Sequence, residues 1–300
     1  MRLIVLAGHA TLSNAGWHVR DLARAAEDRR HEFIVCAWPR LSGNVGTNGP
    51  VARDGEVVLD EADVVMPRTM PAGTLEQIVF RMDLVQRLEG AGILVVNGPR
   101  SVEVAVDKYL ALTRMQEAGL PVPPTIVCQH QAEARAAFAR LGGDVVIKPI
   151  FGSEGFGMIR VSDGVLADRA FSMLDRMGNV LYLQRYIEHD GCDIRLFVID
   201  GRVVTAMRRC GDGFRTNIAQ GGTGTVFEPG EAMCDLARRA AAACDVCVGG
   251  VDVLIDGRGE PFVLEVNAVP GWRALTRVTG LDIGMLIVKW LEEKIRIRDG

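Results

Sequence analysis

The stretch VLEVNAVPGW, residues 263–272, places a carboxylate and an amide, Glu265 and Asn267, at the end of an apolar run. Side chains of a β-strand alternate between its two faces, so Val263, Glu265 and Asn267 are expected on one face and Leu264 on the packed face. An otherwise apolar strand has no structural need for two oxygen-bearing side chains two residues apart. The question is therefore what these side chains bind.

The segment just before it, GGVDVLIDGRGEPF, predicts a partner strand joined by a hairpin. If residues 257–260 form a four-residue loop, Asp256 pairs with Pro261, and the same register places Asp252 directly opposite Glu265. Like charges directly opposite each other destabilise a sheet. A magnesium ion between them would remove the repulsion, because hard divalent cations prefer oxygen ligands. The alternative is that both carboxylates face solvent on an amphipathic sheet.

Composition limits the class of protein before further motifs are considered. The 300 residues suggest about two domains, and a chain with 48% hydrophobic and 24% charged residues is typical of a folded protein. The net charge of −4 offers no basic footprint for nucleic acid. No apolar run approaches the roughly 20 residues of a membrane span. We therefore expect neither a nucleic-acid partner nor a membrane.

The seven cysteines are an odd number at irregular spacing, which argues against a disulfide framework and predicts a reduced, cytoplasmic protein. Cys244 and Cys247 form a lone CxxC in an alanine-rich helical stretch. A place in the core is favoured there over a redox or zinc site, because no second pair and no histidine cluster accompanies the motif.

Apolar segments alternate with helical patterns over residues 1–97, which predicts a parallel sheet with helices on both faces. The expected strands are RLIVLAG, EFIVCAW, ADVVMPR and ILVVNG, and the expected helices cover residues 14–29 and 74–89. Residues 42–50, SGNVGTNGP, are expected to form a surface loop. This part of the chain is predicted to be one α/β domain.

The rest of the chain has a different pattern. A helix carrying DKYLALTRMQEAG is followed by the extended segment LPVPPTIVC and by a succession of β segments typical of antiparallel sheets. Helices are expected around residues 230–247 and 283–298. We divide this part into two α+β subdomains, residues 98–183 and 184–300.

The glycine-rich turn in VIKPIFGSEGFGMIRV is a candidate phosphate site. Lys148 lies on an apolar strand, where a lysine is costly unless an anion accompanies it. Gly152, Gly155 and Gly157 would let backbone N–H groups approach a phosphate. The turn leads into a strand and lacks the Lys-[Ser/Thr] pair, so it fits neither a dinucleotide fingerprint nor a P-loop. An ordinary glycine-rich hairpin with a solvent-reaching lysine is an equally good interpretation of this segment alone.

Arginines follow on two strands that are expected to pair, in DIRLFVIDGRVVTAMRR. Arg195, Arg208 and Arg209 are candidates for binding phosphate or carboxylate groups, and Asn217 lies in the polar loop beyond. Strand alternation points Arg208 and Arg209 to opposite faces, so at most one of them is expected at a site. Each arginine alone is also compatible with a solvated strand.

Taken in order, the helix with DKYLALTRMQEAG, the lysine strand with its glycine turn, the arginine strands and the acidic hairpin resemble the ATP-grasp superfamily. Within it, the chain is similar to the RimK-like carboxylate–amine ligases, which are related to ribosomal-protein glutamate ligases and glutathione synthetases. The resemblance covers the chain from about Asn97 to its end. It implies an ATP-grasp fold, in which a parallel-sheet domain precedes two α+β subdomains that clasp ATP.

The resemblance also implies roles for individual residues. Lys108 and Lys148 would contact the ATP phosphates, and residues 183–187 would form a hinge whose backbone meets the adenine. The ATP-binding set is Lys108, Lys148, Gly152, Ser153, Gly155, Gly157, Gln184, Arg185, Tyr186, Ile187 and Asp193. Asp193 would bind the ribose hydroxyls, with Glu188 as a second candidate. Arg185 departs from the relatives, which often have an acid there.

Asp252, Glu265 and Asn267 would hold magnesium, with two ions expected and manganese able to substitute. Arg209 and Asn217 would face the acyl substrate or the transferring phosphate, and Arg195 is a further candidate for this role. These assignments follow from the resemblance, whereas the pairing of the two carboxylates follows from the hairpin register.

The function implied is an ATP-dependent, ADP-forming ligase that joins a carboxylate to an amine through an acyl phosphate. Its partners would be small-molecule carboxylate and amine substrates, and relatives of this size often form homo-oligomers. Relatives often use glutamate as the amine, and one branch acts in pterin-type cofactor assembly. Two alternatives are a small-molecule kinase of the same fold and a nucleotide-binding regulatory protein without turnover.

Overall fold

The computed structural model describes residues 1–46, 49–152, 156–211 and 221–299. The chain divides into two compact units. The first unit consists of Met1–Val102, Val246–Gly249 and Ala268–Gly300. The second unit consists of Glu103–Asp245 and Gly250–Asn267.

Strands and helices alternate along most of the described chain. The strands, in chain order, are β1 (Arg2–Ala7), β2 (Glu32–Ala37), β3 (Leu41–Gly43), β4 (Ala52–Asp54), β5 (Val57–Val58), β6 (Val64–Pro67), β7 (Leu94–Val95), β8 (Thr125–Cys128), β9 (Val145–Lys148), β10 (Ile159–Val161), β11 (Leu181–Arg185), β12 (Cys192–Ile199), β13 (Arg202–Cys210), β14 (Thr223–Val226), β15 (Val248–Ile255) and β16 (Pro261–Asn267). The α-helices are α1 (Trp17–Asp28), α2 (Leu75–Gly90), α3 (Pro99–Val106), α4 (Lys108–Glu117), α5 (Gln131–Arg140), α6 (Gly164–Arg176), α7 (Glu231–Ala243), α8 (Arg273–Thr279) and α9 (Ile283–Asp299).

The first unit contains a parallel four-stranded sheet in the order β2-β1-β6-β7, which confirms the predicted parallel sheet. Four consecutive residues of β1, Leu3 to Leu6, have no exposed surface. Such an unbroken apolar run is what a strand covered on both faces requires. The chain leaves β1 toward β2 on one side, whereas β6 and β7 lie on the other side.

A small antiparallel sheet of β3, β4 and β5 extends the first unit. The prediction of a surface loop over residues 42–50 is therefore wrong at its start, because Ser42 and Gly43 pair with Arg53 and Ala52. Residues 47 and 48 lie outside the described part of the chain.

The second unit begins with an antiparallel sheet in the order β10-β9-β11-β8. The predicted pairing of the strands that flank the glycine turn is confirmed, with Ile159 opposite Ile147. Helices α5 and α6 pack on this sheet. Neither helix is predicted by the sequence patterns. The buried face of α5 carries only Ala134 and Ala137, so its apolar periodicity is weak.

The other sheet of this unit has the order β14-β13-β12-β15-β16, and α4 and α7 pack against it. Strands β12 and β13 are antiparallel, with Asp193 opposite Arg209 and Ile194 opposite Arg208. Arg209 is 3% exposed, whereas Arg208 is exposed, so the predicted separation of the two arginines onto opposite faces is confirmed. This sheet carries most of the candidate site.

The hairpin of β15 and β16 places Asp252 opposite Glu265, as the sequence predicts, but by a different path. Ile255, not Asp256, lies opposite Pro261, so the register at the loop is one residue away from the prediction. A β-bulge at Leu264 adds one residue to β16 and restores the predicted register at the carboxylates.

Both departures in the hairpin have local causes. The Asp256 side chain accepts hydrogen bonds from the N–H groups of Arg258 and Glu260, both at 2.8 Å, which closes the loop one residue earlier. The bulge also interrupts the alternation of faces, so Val263 is fully buried, and the expectation that it shares the polar face of Glu265 is wrong.

The cysteines differ from the prediction in two ways. Cys192 and Cys210, which lie opposite each other on β12 and β13, form a disulfide, so the expected reduced state is wrong for this pair. An odd number of cysteines means that at least one is unpaired, but it does not exclude a single disulfide. Helix α7 ends before Cys244, which is buried, and Cys247 is exposed and lies beyond the helix.

None of the described helices is both long enough and apolar enough to cross a membrane.

Candidate functional site

Lys148 ends strand β9 in the second unit, and its ammonium group is held by an uncharged partner. Nζ donates to Oε1 of Gln184 at 2.7 Å, and the Gln184 amide in turn donates to Thr125 Oγ1 at 2.9 Å. The pKa of Lys148 is lowered to about 8, mainly by burial; Glu265 opposes this shift and the nearby Lys108 adds to it. A lysine in this state gains from any anion placed beside it.

Lys108 is the first residue of α4, directly after Asp107, whose side chain caps the helix. Its Nζ donates to the carbonyl oxygen of Gly152 at 2.6 Å, at the start of the glycine-rich turn. Burial lowers the pKa of Lys108, and Glu265 opposes this effect. Within the described ranges, no carboxylate lies within ion-pair distance of either Lys108 or Lys148.

The glycine-rich turn has a backbone that only glycine adopts easily. Gly152 and Gly157 have φ angles of +151° and +74°. A side chain at Gly152 would also lie 3.2 Å from Cγ of Pro149. Two residues predicted to bind phosphate in this turn, Ser153 and Gly155, lie outside the described residues.

Asp252 and Glu265 lie opposite each other, and Asn267 follows on the same strand as Glu265. The Asn267 Nδ2 group donates to Glu265 Oε1 at 3.1 Å, which leaves the amide oxygen of Asn267 available. In the described ranges, no three His, Cys, Asp or Glu side chains are grouped so that they could hold a metal. The oxygen set of two carboxylates and an amide still fits magnesium chemically.

The guanidinium group of Arg195 binds the carboxylate that was predicted to need a metal. Its Nε and Nη2 atoms donate to the two oxygens of Asp252 at 2.5 and 2.6 Å, and Nη2 lies 3.8 Å from Glu265 Oε1. The repulsion between Asp252 and Glu265 is therefore already offset within the protein. Arg195 also fills the space above Gly250, where an added side chain would lie 3.1 Å from Arg195 Cδ.

Arg209 joins the same network from β13. It forms a bidentate ion pair with Asp193, at 2.8 and 2.5 Å, and its Nη2 lies 2.9 Å from Asp252 Oδ2. Burial alone would raise the pKa of Asp252, but Arg195 and Arg209 together hold it well below its usual range. Arg209, Asp193 and Asp252 are each 2–3% exposed, so their charges are satisfied by one another.

This network bears on several of the sequence-based assignments. Both oxygens of Asp193 accept from Arg209, just as both oxygens of Asp252 accept from Arg195, so each acid has to share its oxygens with an arginine to bind its predicted ligand. Glu188, the second candidate, is exposed. The guanidinium of Arg209, which was predicted to face the substrate, contacts the carboxylates of Asp193 and Asp252. Asn217, its predicted partner at the acyl substrate, lies outside the described residues.

The predicted hinge follows β11. The N–H groups of Arg185 and Tyr186 already donate to the carbonyls of Pro124 and Asp144, at 2.8 and 3.0 Å. The Arg185 side chain donates to the carbonyl of Leu141, and Gln184 positions Lys148 as described above. Among the described residues, no backbone carbonyl accepts from the Ile187 N–H.

One contact near the hinge was not anticipated from the sequence. The Arg160 guanidinium lies 3.4 Å from the centre of the Tyr186 ring and also pairs with Asp144, at 2.9 and 2.6 Å. Arg160 lies on β10, two strands away from the hinge strand in the sheet, and only the strand order reveals the contact.

The charged side chains described above suit both an anion and a cation. The guanidinium groups of Arg195 and Arg209 pair with Asp193 and Asp252. Lys108 and Lys148 have no ion-pair partner among the described residues. The arrangement can therefore bind a polyphosphate at the lysines and a hard cation at the carboxylates.

Comparison with known proteins agrees with this chemistry. Residues 105–291 match the family described as the RimK-like ATP-grasp domain. The chain is 29% identical over 319 residues to tetrahydromethanopterin:alpha-L-glutamate ligase of Methanosarcina acetivorans, which covers 95% of this chain and 98% of the relative. It is also 29% identical over 299 residues to a probable alpha-L-glutamate ligase of Azotobacter vinelandii, covering 98% of this chain and 96% of the relative.

Some relatives are longer than this chain. The chain is 28% identical to a probable alpha-L-glutamate ligase of Shewanella halifaxensis, a match that covers 92% of this chain but only 60% of the relative.

Solved structures share the fold. The ATP-grasp ligase PsnB, complexed with a minimal precursor, Mg and ADP, superimposes with a TM-score of 0.76 at 22% identity, covering 98% of both chains. A RimK domain protein of Sphaerobacter thermophilus gives a TM-score of 0.73 at 22% identity, covering 97% of this chain and 99% of that one.

These matches confirm the predicted ATP-grasp fold and the carboxylate–amine ligase class, and they do not favour the kinase or regulatory alternatives. ATP and Mg²⁺ are general features of the family. The chain belongs to the RimK-like ATP-grasp family.

Proposed function

We propose that this protein joins the amine of L-glutamate to a carboxylate of a small molecule, with ATP converted to ADP and inorganic phosphate. The observation that carries the proposal is the pairing, in one unit, of two lysines without carboxylate partners and an oxygen set of Asp252, Glu265 and Asn267. The proposal takes glutamate from the names of the relatives, several of which are alpha-L-glutamate ligases.

The reaction would proceed in two balanced steps. A carboxylate oxygen of the acceptor attacks the γ-phosphorus of ATP, and ADP leaves. The glutamate nitrogen then attacks the acyl carbon, the bond to the phosphate oxygen breaks, and the nitrogen loses a proton. No nucleophilic side chain is required for either step.

The residues of the second unit would have separate tasks. Lys108 and Lys148 offset the charge of the phosphates, and Asp252, Glu265 and Asn267 hold magnesium, which supplies charge neutralisation when bound. Arg195 and Arg209 keep Asp252 ionised and oriented.

For the ribose hydroxyls we propose Asp193, which shares its oxygens with Arg209, and the exposed Glu188 carboxylate is the second candidate. Ile187 would contact the adenine. Ser153, Gly155 and Asn217 keep their predicted roles as proposals.

We also propose that two magnesium ions bind, with manganese able to substitute. The protein would form a homo-oligomer and would have no nucleic-acid partner. Its domains would be residues 1–97, 98–183 and 184–300. A cytoplasmic location is proposed as well, although the Cys192–Cys210 disulfide counts against a reducing compartment.

For the acceptor we propose a pterin-type molecule that ends in a carboxylate, by analogy with the tetrahydromethanopterin ligase among the relatives. The test is mass spectrometry after incubation with ATP, magnesium, L-glutamate and a panel of pterin and non-pterin carboxylates. We expect an added glutamyl residue on a pterin acceptor. A phosphorylated product without glutamate would instead support the kinase alternative, and the absence of any product would support the regulatory one.

A further inference from the structure

Arg68 is the first residue after strand β6 of the first unit. Its N–H donates to the carbonyl of Leu6 near the end of β1, at 2.9 Å. Strand β2 lies on one side of β1 and β6 lies on the other, so Arg68 is at the point where the strand order reverses. In open parallel sheets, ligands bind at the carboxyl ends of the strands at such a point.

The Arg68 side chain is buried, and no carboxylate of the described residues pairs with it. It is 6% exposed, and burial lowers its pKa to about 10, so it stays charged at neutral pH. Its Nη2 donates to the carbonyl of Pro270 at 2.8 Å, and its guanidinium lies 4.7 Å from the centre of the Trp272 ring. Its Nε is buried and has no hydrogen-bond partner in the part of the chain that the structure describes. A buried charge in this state is costly unless an anion joins it.

Asp21, the acid that contacts the Trp272 indole, is engaged by other groups. Its Oδ2 accepts from the Trp272 indole N–H at 2.9 Å, and its Oδ1 pairs with Arg24 at 2.9 Å. Gly284 on α9 fits closely against the same carboxylate, with only 2.5 Å between Asp21 Oδ2 and the place of an added Cβ. Asp21 therefore orients Trp272 under Arg68 and does not neutralise Arg68.

Two aromatic rings pack beside Arg68, and the backbone at Gly8 lies near the same strand ends. The His18 ring packs on the Trp272 ring at 4.8 Å between centroids, and its Nε2 accepts from the N–H of Arg273. Next to the end of β1, a side chain added at Gly8 would meet no atom within 4 Å. The His18 and Trp272 rings therefore restrict the Arg68 guanidinium, and the space beside Gly8 lies at the same edge of the sheet.

We propose that Arg68 binds a carboxylate of a substrate, other than the carboxylate that is phosphorylated, at the carboxyl edge of the parallel sheet. The inference rests on the proposed function for the identity of the substrates, which are L-glutamate and a carboxylate acceptor. A carboxylate at Arg68 would accept from guanidinium N–H groups other than the one that donates to Pro270, and it would supply the missing counter-charge.

The first test measures binding without turnover. L-Glutamate, glutarate and inorganic phosphate are titrated separately by calorimetry into the wild type, Arg68→Met and Arg81→Met, with and without a non-hydrolysable ATP analogue and magnesium. Arg81 is the matched control, because it is also buried in the first unit and donates to the Pro71 carbonyl at 2.8 Å. We expect Arg68→Met to weaken dicarboxylate binding about tenfold or more, the loss typical of a truncated buried charge pair, and Arg81→Met to leave it unchanged.

Equal affinities in the wild type and Arg68→Met, or no dicarboxylate binding by the wild type in either condition, would overturn the proposal. Tighter binding of phosphate than of both dicarboxylates would overturn it in favour of a phosphate site. Because these titrations need no product, they test Arg68 even if glutamate ligation itself is not observed.

The second test identifies which substrate carries the carboxylate. In the ligation assay, Arg68→Met should raise KM about tenfold for one substrate while kcat changes little, and Arg68→Lys should recover part of the loss. A rise confined to L-glutamate assigns the carboxylate to the amine substrate, and a rise confined to the acceptor assigns it to the acyl substrate. A fall in kcat with both KM values unchanged would show that Arg68 has only a structural role.

Discussion

Buried arginines occur in both units, but their surroundings differ in kind. Arg209 in the second unit is 3% exposed and contacts Asp193 and Asp252. Arg195 donates two hydrogen bonds to Asp252. Arg68 in the first unit is 6% exposed and contacts a carbonyl and an aromatic ring, with no carboxylate. The same side chain is therefore fully compensated in one unit and uncompensated in the other.

The difference separates two uses of a buried cation. A cation whose charge is matched within the protein is part of a fixed framework, and removing it leaves buried acids without a partner. A cation without a matching acid contributes less to folding, and an incoming anion can supply its counter-charge. The lysines of the second unit, Lys108 and Lys148, belong to the second kind.

The largest effect is expected from Arg209→Met. The change leaves Asp193 without any cation and Asp252 with only Arg195, so unfolding should become easier by about 3–5 kcal/mol, as when one partner of a buried pair is removed. The control is Arg208→Met, since exposed Arg208 pairs with exposed Asp190 and its loss should cost about 0–1 kcal/mol. Urea unfolding of both variants measures the difference. Similar losses in the free energy of unfolding would contradict the assignment of Arg209 to a fixed framework.

Glu265→Gln tests the metal site with little effect on folding. Arg195 already offsets the repulsion between Asp252 and Glu265, so the free energy of unfolding without magnesium should change by about 0.5 kcal/mol or less. Activity should nevertheless fall about a hundredfold, because phosphoryl transfer depends on the metal for charge neutralisation. Glu260→Gln, an exposed change in the same hairpin, is the control. Normal turnover by Glu265→Gln at ordinary magnesium concentrations would exclude this carboxylate as a ligand.

Lys148 should give opposite pH dependences for stability and for ATP binding. Its pKa is about 8 in the folded protein and 10.5 as an ordinary lysine, so between these values the unfolded chain binds more protons than the folded one. The free energy of unfolding should therefore rise with pH in this window, by up to about 1.4 kcal/mol per unit. The affinity for ATP should fall over the same window, up to about tenfold per unit, since the phosphates need the charged form.

Calorimetric titrations of ATP and chemical unfolding between pH 7.5 and pH 9.5, the range about the folded pKa, measure both slopes. Lys148→Met should flatten both of them. Slopes that persist in this variant would assign the effect to another group.

The smallest effect is expected from Arg68→Met on folding. The variant loses the hydrogen bond to Pro270 and the contact with Trp272, but it also removes a buried charge that no acid offsets. These changes oppose each other, so the free energy of unfolding should shift by about 1 kcal/mol or less in either direction. A loss as large as that of Arg209→Met would show that Arg68 is part of the folding framework after all.

The hairpin shows what could be predicted from the sequence and why part of it could not. The apolar alternation and the short loop predict that Asp252 and Glu265 lie opposite each other, and the structure confirms this pair. The same counting gives the wrong residue opposite Pro261, because Asp256 closes the loop with its own side chain and a bulge at Leu264 compensates. Two local departures cancel at the functional end of the hairpin.

The ion-pair network was beyond the reach of sequence patterns. Alternation separates Arg208 from Arg209, but it does not say that Asp193 stands opposite Arg209 or that Arg195 reaches Asp252 on a neighbouring strand. These contacts depend on the register of β12 with β13 and on the order of strands in the sheet. The buried, uncompensated state of Arg68 likewise became visible only from the surrounding residues.

The central claim is that the enzyme forms an acyl phosphate from a carboxylate acceptor and then transfers the acyl group to glutamate. The most direct measurement uses an acceptor labelled with oxygen-18 in its carboxylate and follows the label by mass spectrometry of the inorganic phosphate released. In an acyl-phosphate reaction, the oxygen that attacks the γ-phosphorus leaves with the phosphate, so one labelled oxygen should appear in it for each glutamate joined. Unlabelled phosphate, or ADP formed with the label and the phosphoryl group both retained on the acceptor, would contradict the claim.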